Sequence, residues 1–196
     1  MPRPALHSPE SIIDAARDLL LESGARALTV DAISSASGAP VGSIYHRFGS
    51  LEGLLAEMWI AAVRRFQSAF LAAMDDRDSP KNAAVAAAVS MFDFARDAPA
   101  DARLLAALRR EDLFAATESA TLRGELEELN KPVEDQLAAL SRRLFGNAGP
   151  TALQRTTFAV VDIPHGAVRR HLLAGTPPPR HLRSWIETAV RSALKG

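Results

Sequence analysis

The sequence predicts an all-α protein of about nine helices: a three-helix N-terminal head built on a helix-turn-helix, residues 1–49, and a C-terminal helical bundle, residues 50–196. Three observations predict it. Apolar residues make up 47% of the chain and aromatics only 6%, so the apolar share is largely Ala and Leu, which favour helix over sheet. Apolar positions recur three and four residues apart from Ile12 to Val190, with no convincing strand and no internal repeat. Residues 38–50 read as the turn and second helix of a helix-turn-helix, followed by the cap of a third helix.

Residues 1–7 form a Pro-rich arm, from which Arg3 either reaches a minor groove or trails as a tail. Ser8-Pro9-Glu10 starts the first helix with a cap, a proline at the first position and an acid in the first turn. Ile12, Ile13, Ala16, Leu19 and Leu20 share one face, and Gly24 stops the helix. Thr29 caps a short second helix with Asp31 in its first turn. Ile33, Ala32 and Ala36 face inward on it. Ser37-Gly38 ends it, because glycine tolerates the left-handed conformation of a sharp C-terminal turn. Pro40 restarts a helix at a first-turn position, where its missing N–H costs nothing. Two helices joined by a short Gly-containing turn are what a DNA-binding helix-turn-helix requires.

The restarted helix opens with small residues, Val41, Gly42 and Ser43. They let backbone approach the floor of a major groove, roughly 12 Å wide. Ile44 and Phe48, four apart, face the core. Tyr45, His46 and Arg47 project away from it and suit phosphate oxygens and base edges. The candidate DNA contacts are therefore Thr29, Pro40, Val41, Gly42, Ser43, Tyr45, His46, Arg47 and Ser50.

Gly38, Pro40, Gly42, Ile44, Tyr45, Arg47, Phe48, Ser50, Glu52, Leu54 and Leu55 resemble the helix-turn-helix pattern of the TetR family of bacterial transcription regulators. The resemblance covers residues 9–58; beyond it the chain fits the family in length, helicity and layout. Two positions depart from the pattern. Arg47 stands where the family usually has His, which keeps a phosphate donor. Leu51 stands where a phosphate-binding Lys is common, which removes one backbone contact.

Ser50 caps the next helix, and Leu51, Leu54, Leu55, Met58, Ala62, Phe66 and Phe70 carry its period to about residue 74. A helix of that length leaves the head and enters the bundle as a mechanical link. Asp75-Asp76-Arg77-Asp78 is a polar break. Ser79-Pro80 starts a helix with Val85, Val89, Phe92 and Ala95 on one face, ending near Pro99. Residues 101–110 form a shorter helix with Leu104, Leu105 and Leu108 inward, and residues 111–120 are irregular. Residues 122–145 are helical in pattern, but Pro132 must kink or split them. Residues 146–150 are a loop, and residues 151–174 are helical with Pro164 and Gly166 interrupting. Residues 175–179 form a rigid linker ahead of a last helix over 180–194.

The resemblance implies that a small-molecule effector sits within the bundle. The candidate lining is Phe66, Phe92, Phe94, Leu104, Leu105, Leu108, Phe114, Leu126 and Phe158, with Asp162 and His165 beside the mid-helix Pro164. These last two suit either a polar group of a ligand or one another at a dimer seam. The resemblance also implies a homodimer joined through the last two helices as a four-helix bundle. Val161, Val168, Leu172, Trp185, Ile186, Ala189 and Val190 supply its apolar face. One short recognition helix reads too few base pairs alone, so a two-fold pair on a palindromic double-stranded operator is expected.

Net charge is zero, and residues 1–50 carry four Arg against five acids (Glu10, Asp14, Asp18, Glu22 and Asp31). That balance argues against nucleic acid, but helix N-termini and backbone amides also bind phosphate, and the acids can lie on the far side. Residues 151–196 hold seven Lys or Arg against two acids. The absence of cysteine excludes disulfides, thiol redox sensing and Cys-ligated zinc. No apolar run is long enough to span a membrane, and the N-terminus lacks an apolar signal core, so a cytoplasmic protein is expected. The five His are scattered, no phosphate loop follows a strand, and no Ser or Cys sits on a nucleophile elbow. Neither an enzyme nor a cofactor is expected. The function expected is a dimeric transcriptional repressor released from DNA by an effector; a DNA-binding regulator without an effector is the alternative, to be separated from it by a closed apolar cavity in the bundle. A helical enzyme is a remoter one.

Overall fold

The computed structural model describes residues 8–75 and 79–195. The arm bearing Arg3 and part of the polar break, Asp76, Arg77 and Asp78, lie outside the described residues. No strand occurs among the described residues, and the α-helices follow one another along the chain. In the head, α1 (Pro9–Ser23), α2 (Val30–Ser37) and α3 (Val41–Phe48) begin and end where the sequence places them. The Ser8 hydroxyl accepts from Ser11 N–H and the Thr29 hydroxyl from Ala32 N–H, so each cap satisfies an orphan amide. Gly38 closes α2 at φ 71°, ψ 0°, a left-handed cap open to glycine. Pro40 differs from expectation. It is the N-cap of α3 rather than its first helical residue, because its ψ of 139° is still extended. Its carbonyl accepts from Ser43 and Ile44 N–H, so it starts the helix by its oxygen. Ala36 is exposed, not inward.

The long helix α4 (Leu51–Ala72) is capped by the Ser50 hydroxyl, which accepts from Gly53 N–H at 3.0 Å. At 22 residues it is about 33 Å long, given 1.5 Å per residue. One of its faces, Leu54, Met58 and Ala62, joins Ile12, Ala16, Leu20, Ile33, Ile44 and Phe48 in the core of the head. A second face, Ala56, Trp59, Ile60 and Val63, packs against α7 (Arg110–Ala116) and α8 (Ala120–Glu128). The centre of the bundle is α5 (Pro80–Asp97), buried almost all round by Ala83, Ala84, Val85, Ala87, Ala88, Val89 and Phe92. Between them α6 (Pro99–Ala107) reaches back to the head, and its Leu104 is fully buried in the head's core.

The count of helices rises above nine for two reasons. Residues 110–116 form α7 where irregular chain is expected; Leu113 buries against α4 and α8, and that burial outweighs weak local signals. The 122–145 stretch splits at Leu129 and Asn130 into α8 and α9 (Lys131–Phe145), with Pro132 in the first turn of α9. Pro164 acts differently. It leaves one continuous rod of α10 (Pro150–Thr157), a π-helical stretch Phe158–Asp162, and α11 (Ile163–Leu173). The proline ring clashes with the carbonyl four residues back, and a wider turn relieves that clash without ending the rod. The linker 175–179 is pinned by the Arg96 guanidinium, which donates to Pro178 O at 2.5 Å. The last helix, α12 (Leu182–Ala193), returns against α5.

Candidate nucleic-acid interface and effector cavity

The candidate recognition surface is built on α3. Ile44 and Phe48 anchor it at 1% and 6% exposure, which turns the opposite face outward. There Pro40, Gly42, Tyr45 and His46 are exposed, and Val41, Ser43 and Arg47 half-buried; Thr29 of α2 is exposed nearby in sequence and Ser50 half-buried. A Cβ added to Gly42 would meet nothing within 4 Å. Glycine within a helix is destabilising by roughly 0.5–1 kcal/mol relative to alanine, so nothing inside the protein accounts for it. Gly53 is the opposite case: an added Cβ would lie 2.2 Å from Phe48 O. Its bare α-carbon lets the first turn of α4 close onto the end of α3.

Three of the five acids of the head fall into two places. Asp14 and Asp18 flank Arg17, at 2.8 and 3.3 Å, and Arg17 also reaches Asp101 of α6 at 3.1 Å. They are thus turned towards the bundle. Burial opposes the charge on Arg17, but Asp14, Asp101 and Asp18 outweigh burial and raise its pKa. Glu10 has its carboxyl held below the ordinary range by its own backbone N–H and the Ser8 hydroxyl, and Arg47 adds to the effect. One acid therefore stays ionised beside the recognition helix.

In the bundle a cavity of about 130 Å³ is lined by Phe66 of α4, Met91, Phe94 and Ala95 of α5, Ala102, Leu105 and Ala106 of α6, and His165, Val168 and Leu172 of α11. Phe66 and Phe94 meet edge to face at 5.4 Å. Of the expected lining, Phe66, Phe94, Leu105 and His165 come together here. Phe92 is sealed in the core beside it, and Leu104 belongs to the head's core. Leu108 packs between the two neighbouring cores. Phe114 and Leu126 line a separate cleft with Arg110, Glu111 and Glu127. Phe158 and Asp162 face outward, because the extra residue of the π-turn rotates that stretch of the rod. Met91, Ala95, Ala102 and Ala106 escaped the sequence reading: neither an adaptable methionine nor an alanine carries any sign of a cavity until opposing helices are placed.

The expected seam divides in the same way. Val168, Leu172, Ile186 and Val190 are buried at 1%, 8%, 1% and 0% within their own chain, where they cover α5. That corrects their placement on a dimer face. Trp185, 60% exposed, and Ala189 point outward, with Val161 half-buried. Trp185 meets His181 at a tilt, with ring centroids 4.7 Å apart. No described helix is long and apolar enough to cross a membrane.

Residues 12–58 match the family model for bacterial regulatory proteins, tetR family. No curated protein matches the chain. Solved structures share its fold along nearly its whole length. The TetR family transcriptional regulator PfmR from Thermus thermophilus is 20% identical over 95% of this chain and 97% of that one, with a TM-score of 0.72. FadR from Bacillus subtilis, solved in complex with stearoyl-CoA, is 15% identical over 96% and 99%, with a TM-score of 0.73. The ketosteroid transcriptional regulator KstR2 of Mycobacterium tuberculosis is 15% identical over 97% and 94%, with a TM-score of 0.67. The matched family and these structures are transcriptional regulators, not enzymes. Through residues 12–58 this chain matches the tetR family of bacterial regulatory proteins, and its fold is the one these solved transcriptional regulators share.

Proposed function

We propose that the protein is a homodimeric repressor whose α3 reads a palindromic operator and whose bundle cavity takes a small effector. The observation that carries the DNA reading is Gly42, an exposed helical glycine that no neighbour in the protein requires. Gly124 and Gly166 are equally open, so what singles out Gly42 is its place on the outward face of α3, where a missing side chain suits approach to a major-groove floor. Tyr45 and Arg47 then anchor phosphates, with Thr29, Pro40 and Ser50 at the flanking backbone, while Val41, Gly42, Ser43 and His46 face bases. The functional division falls at residue 50: the head reads, and the remainder binds effector and partner in the cytoplasm.

The apolar lining of this half-open cavity, rather than full closure, supports the effector-gated reading over a regulator without ligand. Its lining is apolar apart from His165. At about 130 Å³ it approaches the volume of roughly 150 Å³ that holds benzene in an engineered apolar cavity. A ligand as large as the stearoyl-CoA bound to the FadR structure requires α6 and α11 to part. Effector binding must favour one spacing of the two recognition helices over another, since a ligand with equal affinity for both shifts nothing. The matching spacing is one helical turn of DNA, roughly 34–36 Å.

The test is Gly42→Ala, read by thermal melting and by footprinting on the DNA upstream of the protein's own gene. The expected outcome is opposite signs: a fold more stable by roughly 0.5–1 kcal/mol and a weakened footprint. An unchanged footprint would remove α3 from the groove.

A further inference from the structure

Asp101 is a buried carboxylate, its side chain 7% exposed, and neither base reading nor effector binding as described above uses it. It sits in the first turn of α6, where the helix dipole favours its charge. It accepts from Arg65 Nε at 2.6 Å and Nη2 at 2.9 Å, a two-pronged pair with α4. It also accepts from Arg17 Nη1 of α1 at 3.1 Å. Two residues on, the Arg103 guanidinium donates to Leu21 O of α1 at 3.3 Å. Leu104 follows, fully buried in the core of the head. The neighbours Ala102, Leu105 and Ala106 line the cavity. One nine-residue helix therefore grips the head with one face and walls the cavity with the other.

We propose that Asp101 is a positioning residue: it latches the head, through Arg17, to the cavity wall and to α4, through Arg65, so that the angle of the head follows the state of the cavity. The two-pronged Arg65 pair fixes direction as well as distance, so a shift of α6 is passed to α1 and α4 together. Arg17 keeps Asp14 and Asp18 as partners when Asp101 lets go, and Arg65 is half-exposed. Opening the Arg17 link alone leaves no buried charge unpaired, because Asp101 keeps its two-pronged pair with Arg65, which suits a contact that must open. The proposal depends on the regulator reading for its consequence but not for its test, because the head's position is measured without DNA or effector.

The chain has no cysteine, so spin labels at Glu22→Cys on α1 and Lys81→Cys on α5, both exposed, report the head-to-bundle distance by pulsed electron resonance. Labelled protein is diluted into unlabelled protein. Asp101→Asn should broaden or displace the distance distribution, and Asp101→Asn with Arg17→Gln should match Asp101→Asn alone. Ala106→Leu fills the cavity from its own wall and stands in for an occupant. It should shift the distribution when Asp101 is present and not in Asp101→Asn. Operator affinity of Asp101→Asn should fall about tenfold, the scale of one charge-assisted hydrogen bond. A lower melting temperature with an unchanged distribution would make Asp101 merely structural and overturn the latch, as would an Ala106→Leu shift of equal size with and without Asp101. Should circular dichroism show Asp101→Asn unfolded, Arg17→Gln alone, which cuts only the link to the head, carries the same expected broadening and the same overturning result. Absence of any operator, with these distance changes intact, would sink the regulator reading and leave the latch standing.

Discussion

At Gly53 a single hydrogen decides how two helices meet. An alanine Cβ there would stand 2.2 Å from Phe48 O, and that oxygen is fixed backbone that also accepts from Ser50 N–H at 2.8 Å. The head must open at the junction of α3 and α4 to admit it. Overpacking of this kind typically costs 1–3 kcal/mol, so Gly53→Ala should lower stability by about that much and tilt the recognition helix. Chemical denaturation and operator binding check it together: loss of binding greater than the loss of folded protein identifies a tilt. Gly42 and Gly53 look alike in the sequence, and only their surroundings show that one is required by the fold and the other is not.

At the scale of elements, α12 separates two roles along its length. Ile186 and Val190 seal the bundle, and Trp185 and Ala189 face away. Trp185→Glu should therefore leave the protomer folded and cost several kcal/mol only where the indole is buried against a partner. Light scattering should show monomers, with operator binding lost; a persistent dimer would place the seam elsewhere. The pairing of α4 with α8 holds a like-charge contact. Burial, and then Glu125 across from it, push the Glu57 carboxyl above its usual range. A raised acid destabilises once it ionises, so this cost is absent below about pH 4.5 and grows as pH rises through the folded value. Glu57→Gln should melt higher than the wild type at pH 7, and the gap should close as pH approaches 4.5. Glu57 is partly solvated, so the gain is no more than about 0.5 kcal/mol. A gain that persists unchanged at low pH would assign it to packing instead.

Over the whole molecule, zero net charge is compatible with DNA binding because two acids of α1, Asp14 and Asp18, pair with Arg17, which also holds Asp101. The same ion pairs remove Arg17 from the cations that could reach phosphate. Arg47 and Arg26 are the other arginines of the described head, so few charges per subunit reach DNA. With about −0.9 in the slope of log K against log salt per neutralised phosphate, two to three cations per subunit, counting Arg3, should give a dimer roughly −4 to −5. Leu51, at the start of α4, is half-buried against the head's core, and a lysine stem can lie along the same surface with its ammonium outward. Leu51→Lys should steepen the slope by about two, one per subunit, measured by titration across salt. A wild-type slope near −10, of the kind about ten phosphate contacts give, would mean that other cations reach the DNA.

The sequence by itself determined what local chemistry dictates: the caps Ser8, Thr29 and Ser50, the stop at Gly38, the faces of α1 and α3, and the helix-turn-helix they make. Each depends on residues within a turn or two of one another, so spacing alone exposes them. The tertiary structure decided what depends on residues far apart in the chain. Leu104 reads as bundle core and lies in the head, because α6 folds back across α1. Val168 and Val190 read as a surface for a partner and are covered by α5. Ala102 and Ala106 read as filler and wall the cavity. Asp101 meets Arg17 across 84 residues of sequence. An amphipathic helix shows that one of its faces is buried; what buries it is fixed only when the helices pack.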